Sequence, residues 1–303
     1  MKVKVSVPAT SANLGSGYDV YGLALSLYNH FIVEDSEEFA ITIKGTSSNI
    51  PRTKENLFYE SFVFLFHKLK IQVPVVKIAM DLYLPQGGGL GSSATAVVGG
   101  LLAANSFLGE KYTKEELLPF AIQMERGQNP DNVAPALLGG LIIMASENGQ
   151  VIHAKVPFPK AIKAIIYTPD FSMDTVTTRK LMPSDYSKED LIFSISRVGL
   201  FLAAIETKQY NLFRIAMQDK IHQPTRTKVF SQMPTLIEAA IIHGAFGAAL
   251  SGGGSSIIAL ADKSFEKIAS ALVNTGNQSG LKGKTAILTA TNKGAVIRKY
   301  KEK

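Results

Sequence analysis

Residues 84–95 read Leu-Pro-Gln-Gly-Gly-Gly-Leu-Gly-Ser-Ser-Ala-Thr, with glycine at 87, 88, 89 and 91 ahead of the serine pair Ser92 and Ser93. Glycine lets the backbone take positive φ and lets a ligand approach the chain closely. The residues that follow are small or apolar, with no proline before 108, and the apolar positions 94, 97, 98, 101 and 102 fall at helical spacing. A glycine loop opening into a helix presents free N–H groups and the positive end of the helix dipole. That is the chemistry of an anion site, here suited to a triphosphate. The two serine hydroxyls stand where they could touch a phosphate or a phosphate-bound Mg²⁺. No Gly-Lys-[Ser/Thr] follows the loop, so this is not the Walker pattern, and the glycines lack the usual dinucleotide-binding spacing. A tight turn with close packing would explain the same glycines.

Polar residues also collect in the segments 8–19, 125–132 and 251–256, read as loops, where scaffolds usually hold binding residues. Glu125 offers the carboxylate oxygen that a hard cation requires. Its place at a helix end opposes the dipole, which favours a functional role over a solvated carboxylate. Asn13, Asp19, Asp131 and Asn132 suit either binding or turn chemistry. Arg179 and Arg226 lie in segments read as loops and could clamp a carboxylate or phosphate in bidentate fashion, or form surface ion pairs. The five histidines show no ligand spacing and receive no role, and no Ser/His/Asp triad can be argued.

The elements that must position these residues follow from periodicity. Val3, Val5 and Val7 alternate with polar residues as a half-buried strand. Apolar positions at 58, 62, 65, 66 and 69 mark a helix after Asn56, and 75–84 reads as the strand that delivers the glycine loop. Thr113-Lys-Glu-Glu116 is a capping box, starting a helix that runs to Arg126, stops at Gly127 and contains Pro119. A hairpin-like turn at 147–150 and prolines at 157 and 159 put a domain boundary near 150–160. Beyond it come a strand at 162–167, helices at 191–205 and 209–219, a loop at 224–227, a helix from Pro234 to Gly244, strands at 245–250 and 256–260, a helix at 264–274, and strands near 283–290 and 294–300. That order suggests a small antiparallel α/β sandwich.

The 303 residues are 46% hydrophobic, enough for a sizeable core. No run of about 18 apolar residues predicts a membrane span, and the N-terminus lacks a signal-peptide core, so a cytoplasmic protein is expected. Zero cysteines exclude disulfides, thiolate metal sites and a cysteine nucleophile. Of the net +7, residues 1–150 carry 11 Lys and Arg against 14 Asp and Glu, and residues 151–303 carry 21 against 11. The lysines are scattered and not interleaved with aromatics, which reads as a solvated surface or attraction of a small anion; no nucleic-acid or membrane partner is expected.

Taken together, the motifs resemble the superfamily of galactokinase, homoserine kinase, mevalonate kinase and phosphomevalonate kinase, and within it the homoserine kinases, over nearly the whole chain. Pro8-Ala-Thr-Ser-Ala-Asn-Leu-Gly-Ser-Gly-Tyr-Asp19 is similar to the first family motif, 85–94 to the phosphate loop, 129–140 to a homoserine kinase stretch, and Leu250-Ser-Gly-Gly-Gly-Ser-Ser256 to the third motif. The resemblance implies an α+β protein of two domains. Residues 1–155 would form an ATP-binding domain with a mixed sheet and a left-handed βαβ phosphate-loop unit, and 156–303 a ferredoxin-like sandwich. It implies transfer of the ATP γ-phosphoryl group to L-homoserine, with Mg²⁺, in a homodimer; a sister kinase acting on mevalonate or a sugar is the alternative. It implies nucleotide contacts from Asn56, Pro85, Gln86, Gly87, Gly88, Gly89, Leu90, Gly91, Ser92, Ser93, Ala94 and Thr95, and Mg²⁺ held by Ser93 and Glu125. Asn13, Asp19, Asn132, Arg179, Arg226 and Gly253 would hold the amino acid. Asn132 would orient the hydroxyl, with Asp131 pointing elsewhere. Two departures stand out. Asn129 occupies a position that is His in many homoserine kinases, and the third motif lacks its usual proline.

Overall fold

The computed structural model describes residues 1–45, 50–125, 130–173 and 175–300. The first half runs β1 (Lys2–Asn13), β2 (Gly17–Asp35), β3 (Ala40–Gly45), α1 (Leu57–Lys68), β4 (Val76–Leu82), α2 (Ser92–Phe107), α3 (Lys114–Met124), α4 (Pro130–Leu138), β5 (Leu141–Glu147) and β6 (Gln150–Val156). The second runs β7 (Lys163–Pro169), α5 (Thr175–Lys180), α6 (Lys188–Glu206), a 3₁₀ turn (Tyr210–Leu212), α7 (Phe213–Ala216), α8 (Gln223–Arg226), α9 (Met233–Ile242), β8 (Gly247–Leu250), β9 (Ile257–Ala261), α10 (Phe265–Gln278), β10 (Gly283–Thr289) and β11 (Val296–Tyr300).

Local signals set several boundaries. The Asn56 side chain accepts from Phe58 N and starts α1. Thr113 and Glu116 cap each other at the start of α3, which continues through Pro119. The valines of β1 face a core completed by Phe31 and Val33 of β2, with α1, α2 and α4 packed on it. The large sheet has the order β11-β1-β2-β4-β3, with β5 and β6 joined to the far end of β2. Among the described residues only β3 and β4 pair in parallel, spanned by α1, and the glycine loop leaves β4 directly. The second sheet, β10-β7-β9-β8, is antiparallel throughout, with the strand order of a ferredoxin-like sandwich.

Four readings need correction. Segment 8–19 is not a loop. Its small residues continue β1 to Asn13, pair with β2 and turn at 14–16, so partner strands satisfy the backbone groups. Segment 130–138 is helical, so Asp131 and Asn132 sit in a first helical turn entered by Pro130. Arg179 lies in α5, and Arg226 ends α8, in a stretch read as loop. The helix read over 209–219 is a 3₁₀ turn followed by one α turn. The helix stop read at Arg126 and Gly127 lies outside the described residues, as does Asn129.

The chain's last strand returns to the first sheet: β11 pairs with β1 from Ser6↔Val296 to Lys2↔Tyr300. Two lysines hold this return. Lys114 Nζ donates to the carbonyls of Lys293 and Ala295, and Lys155 Nζ to those of Leu138 and Asn292.

The α1–α2 crossing is unusually close. A Cβ on Gly100 would lie 2.2 Å from the Phe58 carbonyl oxygen. Gly100→Ala should therefore force the helices apart and lower stability by about 1–3 kcal/mol, read as a lower urea midpoint at unchanged slope. An unshifted midpoint would show that the crossing has room to spare.

Candidate active site

The glycine loop is held from behind by segments far away in sequence. The carbonyls of Gly87, Gly88 and Leu90 accept from the N–H groups of Met173 (3.2 Å), Ser256 (3.1 Å) and Thr10 (3.1 Å), and that of Gly89 from Ser251 Oγ (2.7 Å). In a planar trans peptide the N–H points opposite to its C=O. The N–H groups of residues 88–91 are thereby turned away from those braces. Gly87, Gly89 and Gly91 all have positive φ, and Gly91 caps α2. A Cβ on Gly89 would meet Ser251 O at 2.1 Å, so only glycine fits there. Buried Asn29 ties both ends of the loop. Its Oδ1 accepts from Tyr83 N and Leu84 N, and its Nδ2 donates to Thr95 Oγ1.

Two cavities adjoin this loop. One, of about 120 Å³, is lined by Gly89, Gly91, Ser93, Glu125, Asn132 and Gly253, among others. The other, of about 330 Å³, includes Asn56, Met80, Leu82, Gln86 and Thr95 in its lining. Gly87, Ser92 and Ser93 line both, so a polar chamber opens onto a larger, less polar one. Pro85 and Gly88 also line the first. Leu90 and Ala94 turn into the core, and the Thr95 hydroxyl donates to Ser92 O. Asn56 Nδ2 donates to Pro51 O, so this residue is both a helix cap and part of the cavity wall.

A second polar cluster adjoins the first chamber. Asn13 Nδ2 donates to Gly252 O at 3.0 Å, and its Oδ1 accepts from Asp19 N. Asp19 Oδ1 pairs with Arg179 Nη2 at 2.8 Å. The Tyr18 ring lies between the guanidinium groups of Arg179 and Arg226, at 5.6 and 5.5 Å, and the His222 ring, stacked at 5.3 Å. Arg226, for which both a ligand clamp and a surface ion pair were open, is 1% exposed and hydrogen-bonded to the Tyr18 side chain. Asp131 is buried and does not line the chamber that Asn132 lines. Asn132 Nδ2 donates to its Oδ1 at 3.3 Å, while Thr10 Oγ1 donates to Asn132 Oδ1 at 2.8 Å. Burial, reinforced by the negative charge of Asp19, pushes the Asp131 carboxyl up to about 7. Burial also raises Asp19, against the opposing pull of Arg179.

Asn132 thus joins the two groups: it lines the phosphate chamber and touches Asp131. The structure brings Asn13, Asp19, Asp131, Asn132, Arg179 and Arg226 into one neighbourhood, and Ser93, Glu125 and Gly253 into the adjoining chamber. Sequence reasoning missed Thr10, Tyr18, Asn29 and His222. Tyr18 had a signal, being enclosed by Gly17 and Asp19 in the first motif; Asn29 had none beyond being polar in an apolar run.

Comparison with known proteins agrees with this arrangement. Residues 56–140 match the GHMP kinases N terminal domain, and residues 201–278 match the GHMP kinases C terminal domain. The chain is 36% identical over 297 residues to a homoserine kinase of Desulfitobacterium hafniense, covering 97% of this chain and 99% of that one. It is 37% identical over 299 residues to one of Aquifex aeolicus, with the same coverage. The crystal structure of homoserine kinase from Cytophaga hutchinsonii superposes with a TM-score of 0.89 at 28% identity, covering 98% and 97% of the two chains. The chain therefore belongs to the homoserine kinase family of the GHMP kinases.

Proposed function

We propose that this protein transfers the γ-phosphoryl group of ATP to the side-chain hydroxyl of L-homoserine, giving O-phospho-L-homoserine. The observation that carries the reading is the charge pattern beside the phosphate chamber: one carboxylate, Asp19, and two guanidinium groups, Arg179 and Arg226. Asp19 and Arg179 satisfy each other, and a zwitterionic amino acid offers each the charge that the other supplies. Arg226 Nε is buried with no hydrogen-bond partner among the described residues, a donor suited to a carboxylate. Mevalonate or a sugar has no ammonium group for Asp19.

Ser93 and Glu125 would hold Mg²⁺. They bring a hydroxyl and a carboxylate, hard oxygen donors, to one chamber lined by the phosphate loop. Bound there, Mg²⁺ would neutralise charge on the β- and γ-phosphates. The N–H groups of the loop and of the first turn of α2 supply fixed positive potential for the transferring group. The transition state is loose and needs alignment more than a strong base. Asn132, locked by Thr10 on one side and Asp131 on the other, orients the hydroxyl. Asp131 can take up the released proton near neutral pH.

The wider family reading adds a homodimer in the cytoplasm and two domains divided near residue 156. Its support is the resemblance and the two sheets; no helix among the described residues is long and apolar enough to cross a membrane.

The deciding experiment is ADP release from Mg-ATP with L-homoserine, mevalonate, galactose or L-threonine. Turnover confined to homoserine is expected; turnover only with another alcohol would sink the substrate assignment. Ser93→Ala and Glu125→Gln should each raise the Mg²⁺ concentration needed for half-maximal rate by about tenfold or more, and unchanged Mg²⁺ dependence would remove them as ligands. Asp131→Asn should lower kcat by less than about 1,000-fold, since positioning supplies most of the rate. The same variant tests the burial of the carboxyl. The folded protein keeps the Asp131 proton to about pH 7, whereas an unperturbed carboxyl loses it near 3.8. Wild-type stability should thus fall as pH rises across that window. Asp131→Asn should melt higher than wild type at pH 8 and lose the advantage at pH 4. Equal melting temperatures at pH 8 would contradict the raised pKa.

A further inference from the structure

One fully buried cluster lies behind the amino-acid pocket and is used by no step above: Asp219 and His222, with Arg226 and Tyr18 against them. His222 Nδ1 meets Arg226 Nη1, and its Nε2 lies 3.0 Å from the Gly15 carbonyl oxygen. A guanidinium can only donate, so Nδ1 accepts and the ring proton sits on Nε2, donated to Gly15 O. The tautomer is thereby fixed by its two neighbours. Burial, helped by the Arg226 charge and opposed by Asp219, lowers the imidazole pKa to about 4, so Nδ1 stays an acceptor at neutral pH. The Asp219 carboxylate is itself occupied by the N–H groups of Ile221, His222 and Gln223, which fix the start of α8.

The two partners of His222 belong to separate parts of the site. Arg226 is one of the two guanidinium groups. Gly15 lies in the β1–β2 turn, between Asn13 and Asp19. That turn is pressed on the far side as well, since a Cβ on Gly15 would lie 2.2 Å from Met217 O. One imidazole therefore sets the distance between the pocket's carboxylate and its buried guanidinium.

We propose that His222 is a positioning residue for the amino-acid substrate, holding Arg226 and the Asn13–Asp19 turn at one spacing so that carboxylate and ammonium are clamped together. For the identity of the ligand this rests on the homoserine reading; the coupling itself rests on the hydrogen bonds.

The test is steady-state kinetics with Mg-ATP and L-homoserine on wild type, His222→Leu, His222→Asn and His222→Gln. His222→Leu should raise KM for homoserine about 10- to 100-fold while KM for ATP stays within about twofold, the loss of one hydrogen bond to a charged group. His222→Asn places an amide oxygen near the position of Nδ1, and His222→Gln reaches the position of Nε2; each restores one of the two links, so each should recover part of the affinity and neither all of it. If His222→Leu does not fold, the Asn and Gln variants alone decide. An unmoved homoserine KM in folded His222→Leu, an equal rise in both KM values, or full affinity in either single-link variant overturns the proposal. Wild type that fails to turn over homoserine overturns the substrate reading and this inference with it; homoserine turnover with an unmoved KM in His222→Leu overturns this inference alone.

Discussion

Four consecutive carbonyls of the glycine loop, at residues 87–90, are bonded by residues 173, 256, 251 and 10, and that bracing is the constraint on which the site depends. A glycine-rich segment free in solution has more backbone entropy to lose than any other. Here that loss is offset by hydrogen bonds from three separate parts of the chain, two of them in the second half. The orientation of the loop's N–H groups follows from where its carbonyls are held. An anion site of this kind cannot form until both halves of the chain are in place.

The rest of the architecture serves that meeting. Leu84 and Leu90, flanking the glycines, belong to a buried cluster shared with Leu23 and Leu25 of the first sheet and with Ile166, Phe201 and Phe213 of the second half. Hydrophobic burial there fixes the two sheets against each other, and the return of β11 to β1, held by Lys114 and Lys155, closes the chain around the joint. The pocket proposed for the amino acid lies at the same joint. The end of β1 and the start of β2 supply Asn13 and Asp19, and the second half supplies Arg179, Arg226 and His222.

The pocket collects charge in a poorly solvated place. Burial pushes the Asp19 and Asp131 carboxyls up, while it pushes Arg226 and His222 below their own ordinary values. Such an arrangement is costly to fold around unless each group has a partner. The partners are mutual: Asp19 with Arg179, Arg226 with Tyr18 and His222, Asp131 with Asn132. A site that is already paired and held rigid loses little freedom when a zwitterion of matching charge replaces those pairings.

Local signals carried much of this in the sequence. The glycine run, the cap at Asn56, the capping box at Thr113 and the alternation of β1 act within a few residues, so they could be read without a fold. What misled was polarity taken as irregularity. Segment 8–19 is rich in small and polar residues yet is buried strand and turn, because β2 pairs with it; residues 130–138 and 223–226 are helical although each contains a proline. The sequence alone determined that a glycine-rich loop precedes a buried helix, and that acidic and basic candidates exist along the chain. Tertiary structure alone decided that Arg226 is buried rather than paired at the surface, that Asn29 ties the loop ends, and that His222 links Arg226 to Gly15, which lies 207 residues before the histidine. Those contacts join residues whose spacing in the chain has no period, and only the packing of two sheets on one core brings them within hydrogen-bond reach.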